Sequence, residues 1–372
     1  NQWMEVLSEW QPISVGGQNP RWRVELDEAL QEVRLKRSSH LLVVGVKDSI
    51  ANGDFQKFAE YAPEEFENFL LVGDEVHWLG SPAFRRALFP SAKLRLGLSA
   101  TPERYFDSEG TTVLSNYFGG DSIVEIDIKQ ALNLRTPAGD PVLCPYKYHP
   151  VECTLSEEEF QEYQKYAKAI AAASSRDEPD SKAPEAARNN AARVIKKAES
   201  KFDKLEDLLE RLGSELHHAI LYCHDGEQLR QVEKIINRLP TKVHYGRIDG
   251  DTPSKDRART LNNLSQGHIA VVLAMKVLDE GVDIPNAQLG IILASSGNPR
   301  EFIQRRGRLM RTHPNKSHAT IFDFCVLAES GLVAGLTSQG IQRKETTRVL
   351  EFADAALNRE EIEQKYEEME VL

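Results

Sequence analysis

Apolar residues along this chain fall into short continuous runs: LLVVGV from Leu41, FLLV from Phe69, LRLGLS from Leu94, AILYC from Ala219, KVHYG from Lys242, IAVVLA from Ile269, LGIILAS from Leu289 and ATIFDF from Ala319. Runs this short, without polar alternation, predict strands covered on both faces of a sheet. Several are separated by stretches with helical spacing, such as GEQLRQVEKIINRL from Gly226 and PSKDRARTLNNLSQG from Pro253. Strand and helix in alternation predict an α/β fold with parallel sheets.

Residues 156–212 depart from this pattern. They are rich in Ala, Glu and Lys, carry the polar insert SSRDEPDSKAPEAARNN and have no strand signal. Ser156 and Glu159 stand at capping-box spacing, and Gly213 marks a helix stop. The stretch reads as a solvated helical insertion ahead of a module for a protein partner. From Lys344 the tail, ending REEIEQKYEEMEVL, reads as an acidic amphipathic helix that packs on a domain or on such a partner.

Length and composition narrow this picture. A chain of 372 residues exceeds the roughly 250–300 residues that one core supports, which predicts two domains. No run approaches the roughly 20 apolar residues of a membrane span, so a membrane role is unsupported. The formal net charge of −11 argues against a simple basic nucleic-acid binder, so any nucleic acid must meet a local surface. Cys144, Cys153, Cys223 and Cys325 are scattered without Cys-x-x-Cys spacing, as expected of reduced thiols in a cytoplasmic protein. The opening NQWMEVLSEW has the pattern of a helix interior, with no initiator Met or signal-type core. The expectation is that the chain starts inside a domain.

Candidate chemistry sits at strand ends. Asp74 and Glu75 directly follow the run Phe69–Val72, which places them where open parallel sheets bind ligands. In nucleotide hydrolysis the first acid of such a pair holds Mg²⁺ and the second orients the attacking water. His77 lies three positions after Asp74. Taken alone, Asp-Glu-x-His could equally be an exposed polar turn. Ser99 and Thr101 in GLSATP end the next run, where hydroxyls either bridge a nucleotide site or cap a turn. DEGVDIP supplies Gly281 for close backbone approach and Asp283 as a ribose acceptor, or else an ordinary acidic turn. QRRGRLMR places Arg308 and Arg311 three apart on one predicted helical face. Such arginines stabilise a transferred phosphoryl group, or else form a solvated basic face.

The order Asp-Glu-Val-His, Ser-Ala-Thr, Gly-Val-Asp, Gln-x-x-Gly-Arg-x-x-Arg, each after a β-like run, resembles motifs II, III, V and VI of superfamily 2 helicases. DEVHWLGSPAFRRALFPSAKLRLGLSATPER and SSGNPREFIQRRGRLMR are similar to the DExH branch that includes the xeroderma pigmentosum group B and UvsW-like DNA translocases. The resemblance covers most of residues 40–125 and 215–325. It implies two RecA-like domains, residues 1–135 and 136–343, the second interrupted by the 156–212 insertion, with a C-terminal helix over 344–372. It further implies ATP and Mg²⁺ in an interdomain cleft and a strand of DNA, rather than RNA, crossing both domains. By the same resemblance Asp74 coordinates Mg²⁺ and Glu75 positions the water. His77, Ser99 and Thr101 couple the phosphate state to domain closure, Gly281, Asp283, Gln304, Arg308 and Arg311 complete the nucleotide site, and Arg104 and Lys276 contact nucleic acid.

Two departures stand out. Met275 occupies the place where many relatives have a backbone-contacting Thr. No Walker A loop, Gly-x-x-x-x-Gly-Lys-Ser/Thr, is present; VVGVKDS at Val43 lacks the second Gly and the Gly-Lys adjacency. These 372 residues alone are therefore expected to be inactive, the phosphate loop coming from elsewhere in the chain or from a partner polypeptide. The competing reading is a catalytically silent helicase-like scaffold. The basic cluster Arg300, Arg305, Arg306, Arg308, Arg311 and Lys316 is the one concentration of positive charge that suggests a nucleic-acid path.

Overall fold

Parallel strands organise both units of the chain, Asn1–Glu125 and Ile126–Leu372, as two two-stranded pairs in the first and one six-stranded sheet in the second. The computed structural model describes residues 2–16, 19–61, 69–100, 107–120, 124–174, 182–275, 284, 286–294, 299–327 and 336–370.

The first unit runs α1 (Gln2–Val6), β1 (Ile13–Val15), α2 (Trp22–Arg34), β2 (Val43–Gly45), α3 (Lys47–Ala51), α4 (Gly53–Tyr61), β3 (Leu70–Gly73), β4 (Leu94–Gly97) and α5 (Ser108–Phe118). Its described strands form two parallel pairs, β1 with β2 and β3 with β4. Two small cores hold them: Val15, Leu26, Phe55 and Phe89 under β1–β2, and Val76, Leu79, Leu88 and Leu114 beside β3–β4. The expectation that both faces of every strand are covered fails here. The register partners Leu70 and Leu94 are 53% and 65% exposed, and Val72 and Leu96 43% and 46%. Period-2 geometry puts these four on one face of the pair, and that face meets solvent.

The second unit runs α6 (Ile128–Asn133), β5 (Tyr146–Cys153), α7 (Glu157–Ser174), α8 (Lys182–Lys197), α9 (Ser200–Leu212), β6 (Ala219–Tyr222), α10 (Gly226–Arg238), β7 (Tyr245–Ile248), α11 (Ser254–Ser265), β8 (Val271–Ala274), β9 (Leu289–Ile292), α12 (Pro299–Leu309), β10 (Ala319–Val326), α13 (Leu336–Ala353) and α14 (Arg359–Glu370). Six strands form one all-parallel sheet in the order β5-β10-β9-β6-β8-β7. Here the two-faced expectation holds. Along β6, Ile220 and Tyr222 enter one core while Ala219, Leu221 and Cys223 enter the other. β5 escaped the sequence reading because its residues alternate in character and include Pro150, but an edge strand tolerates a missing N–H, and β5 pairs with β10 at the sheet edge.

The unit boundary falls at residue 125, ten residues before the expected 135. The cause is α6, whose Ile128 and Leu132 pack on the second unit's core, while Lys129 pairs with Asp354 at 2.6 Å. The insertion is helical as expected: Ser156 and Glu159 close a reciprocal cap at 2.9 and 3.3 Å, and Gly213 (φ 46°) ends α9. The tail is two helices rather than one. Val349 and Phe352 of α13 with Ile362 and Tyr366 of α14 are buried in the second unit's core. Arg348 of α13 grips the buried Asp323 of β10 through both carboxylate oxygens, at 2.9 and 3.2 Å, while the Tyr148 hydroxyl donates to Asp323 at 2.8 Å. Among the described residues no helix is long and apolar enough to cross a membrane.

Candidate active site

In the first unit β3 delivers Asp74 at its carboxyl end. Glu75, next along, adopts a left-handed conformation (φ 46°, ψ 48°) that non-glycine residues rarely occupy, and a 3₁₀ helix, Val76–Gly80, follows. This turn is tied to the end of β4 through the backbone: Leu98 N–H donates to Gly73 O at 2.8 Å, and Val76 N–H to Leu98 O at 3.0 Å. The result brings the two first-unit motifs together. His77 is fully buried, and its Nδ1 lies 3.3 Å from Ser99 Oγ and 3.3 Å from Glu75 Oε2. One imidazole thus contacts the acid assigned to water and the hydroxyl assigned to coupling. Moving either neighbour costs a buried polar contact.

Asp74 has two further contacts. Its Oδ1 accepts from the Glu75 backbone N–H at 3.0 Å, and its Oδ2 accepts from the indole Nε1 of Trp3 at 2.8 Å. Nothing in the sequence pattern signals the Trp3 contact. Among the described residues no group of three or more His, Cys, Asp or Glu could hold a metal ion. A single exposed carboxylate suits Mg²⁺, which keeps several waters and takes phosphate oxygens rather than a protein cage. The VVGVKDS segment is strand and helix start, and the Lys47 ammonium lies over the Trp78 ring, 4.4 Å from its centroid. That lysine is committed to an aromatic face rather than presented by a phosphate loop.

In the second unit α12 carries Gln304 and Arg308, the latter buried at 8% exposure. The expectation that Arg308 and Arg311 share a helical face is corrected: α12 ends at Leu309, so Arg311 lies beyond it. The expected basic track is also corrected in part. Arg305 is 2% exposed, donates to Ala294 O at 2.8 Å and stacks over Tyr222. Arg306 stacks over Tyr146 and Phe352, and Lys316 turns inward to backbone carbonyls. These three cations serve the core, where their aliphatic stems pack and their charge meets ring faces and carbonyl oxygens. The buried Lys201 ammonium donates to Leu293 O at 2.7 Å, so Lys201 and Arg305 together clamp the backbone that leads from β9 toward α12.

Met275, the departure from the helicase pattern, packs against the second unit's core. Thr101, Arg104, Lys276, Gly281 and Asp283 lie outside the described residues.

The family described as "Helicase conserved C-terminal domain" matches residues 200–313. The chain is 28% identical over 262 residues to the DNA 3'-5' translocase XPB2 of Sulfurisphaera tokodaii, covering 65% of this chain and 55% of that protein. It is 27% identical over 260 residues to the DNA 3'-5' helicase XPB of Kineococcus radiotolerans, covering 70% and 40%. The helicase domain of Pyrococcus furiosus Hef aligns over 85% of this chain and 80% of that one, with a TM-score of 0.45 and 16% identity. The chain spans about half, or less, of the length of the curated relatives it matches.

Proposed function

From a chain that carries a helicase conserved C-terminal domain and resembles the XPB branch of superfamily 2 helicases, we propose that the full-length protein is an ATP-dependent DNA helicase or translocase. The observation that carries this reading is His77, buried between Glu75 and Ser99. An exposed polar turn has no need to bury an imidazole against two motifs 22 positions apart.

In this reading Asp74 holds Mg²⁺, which supplies charge neutralisation to the phosphates when bound. Glu75 accepts a proton from, or orients, the attacking water. His77 and Ser99, with Thr101, pass the state of the site to the β4 end. Arg308 and Arg311 stabilise charge on the transferred phosphoryl group, and Gln304, Gly281 and Asp283 take the remaining nucleotide contacts. Arg104 and Lys276 meet the nucleic-acid backbone, DNA rather than RNA. A cytoplasmic role in repair, recombination, restriction or phage defence, with a protein partner on 156–212 or 344–372, belongs to the same proposal.

The test is ATP hydrolysis by the full-length protein with and without single-stranded DNA, duplex DNA and RNA. Stimulation by DNA is expected; no stimulation by any nucleic acid sinks the translocase reading. Glu75→Gln is expected to abolish turnover while nucleotide binding persists. The Trp3 hydrogen bond on Asp74 favours a second reading, a silent scaffold, and turnover that Glu75→Gln abolishes would eliminate it.

A further inference from the structure

Arg311 lies two residues past the end of α12, so helical geometry does not place it. Two backbone contacts do. Its N–H donates to Arg308 O at a long 3.4 Å, and its carbonyl accepts from the Lys316 ammonium at 3.0 Å. The same ammonium donates to Leu309 O, and Met310 O accepts from Cys144 N–H at 2.7 Å. The carbonyls of Leu309, Met310 and Arg311, at and just past the helix end, are therefore all met, two of them by one side chain. A turn closed by Lys316 N–H on His313 O, 3.0 Å, brings that side chain back.

Lys316 is 9% exposed, and the charged group acting on it besides its own burial is the Cys144 thiol. A buried ammonium without a counter-ion is costly, and a neutral amide could meet the same carbonyls at less cost. What the charge adds is a tighter, charge-assisted grip on the negative end of the helix.

We propose that Lys316 is a positioning residue: it holds the C-terminal turn of α12 so that the guanidinium of Arg311 is fixed where phosphoryl charge develops. The inference rests on the reading that Arg311 acts on the nucleotide. Burial pushes the Lys316 ammonium down to about 8, with the neighbouring Cys144 thiol acting in the opposite sense. The titratable and charged groups around it are Cys144 from the segment before β5, and Arg311 and His313 in the turn that it closes. A folded-state value below that of free lysine, about 10.4, means that the unfolded chain binds more protons between the two values. Stability therefore rises with pH across that window. The grip on Arg311 weakens over the same window, because the amine loses its charge. Turnover and stability move in opposite directions, which a purely structural lysine would not produce.

The experiment measures ATP turnover and thermal stability of the full-length protein from about pH 6 to about pH 10, for the unaltered protein, Lys316→Met, Lys316→Gln, Arg311→Ala and the Lys316→Met/Arg311→Ala double variant. Lys316→Met is expected to lower kcat about tenfold to hundredfold, as small misplacements of a charge-stabilising group do, with little change in KM. Lys316→Gln, which keeps two donors, recovers part of the loss, and the falling limb near pH 8 disappears in both. In the Arg311→Ala background Lys316→Met adds little further loss. The proposal is overturned by unchanged kcat in the lysine variants, by additive losses in the double variant, or by a flat profile through pH 8 in the unaltered protein. If Lys316→Met does not fold, Lys316→Gln and the profile of the unaltered protein decide. Full turnover in Arg311→Ala would instead remove the underlying role of Arg311, and the positioning role with it.

Discussion

At the scale of single residues, the unusual backbone of Glu75 ties local strain to proposed chemistry. A side chain with a Cβ pays about 1 kcal/mol or more to sit in the left-handed region, and such outliers persist where surrounding contacts over-determine them. Here the turn is fixed on one side by the Val76–Leu98 backbone bond and on the other by His77. Glu75→Gly is therefore expected to be more stable than Glu75→Ala by about 1 kcal/mol, although glycine gives back part of this through unfolded-state entropy. Urea midpoints of the two variants measure the difference, and equal midpoints would show that the turn relaxes. Both variants should lack ATP turnover, so stability and activity separate at this position.

At the scale of elements, the seat of α12 on the sheet governs where the proposed arginines stand. Gly290 of β9 lies beneath it, and a Cβ there would come within 2.1 Å of Leu309 Cδ1, itself fully buried. Gly290→Ala must displace the end of α12 or repack Leu309. The expected cost is about 1–3 kcal/mol, with kcat falling as Arg308 and Arg311 shift. Denaturant unfolding and turnover check both, and a loss of stability with unchanged kcat would uncouple the seat of α12 from the chemistry. The elements also show what was legible in the sequence. Every continuous apolar run became a strand, because burial on both faces or a parallel partner leaves no polar alternation to misread. Ile13–Val15 and Tyr146–Cys153 were missed, the first for its brevity and the second because an edge strand tolerates Pro150 and polar residues. The motif positions Asp74, Glu75, His77 and Ser99 were legible from order and spacing. The inward turn of Arg305, Arg306 and Lys316 was not, because charge in a sequence carries no direction. Only the Tyr222, Tyr146 and Phe352 rings and the α12 carbonyls reveal it.

At the scale of the whole chain, the two units differ in how well their strands are sheltered. The residues of β6, β8 and β9 are buried throughout, whereas those of β4 are exposed throughout. Opening free energies follow local burial, so the chain should not lose its structure in one step. Native-state hydrogen exchange is expected to show amides of β3 and β4 exchanging well before those of β6 and β8. Uniform protection across both sets would contradict this difference in burial.

The indole of Trp3 on the Asp74 carboxylate has an optical consequence. Indole emission responds to its hydrogen-bond acceptor and to nearby charge, and here the acceptor is the oxygen proposed to bind Mg²⁺. Any cation that takes Asp74 Oδ2 must loosen that bond, and the light emitted by one of four tryptophans then changes with it. The chain carries an intrinsic fluorophore wired to its candidate metal ligand, so occupancy of that carboxylate can be followed without a label and without waiting for turnover.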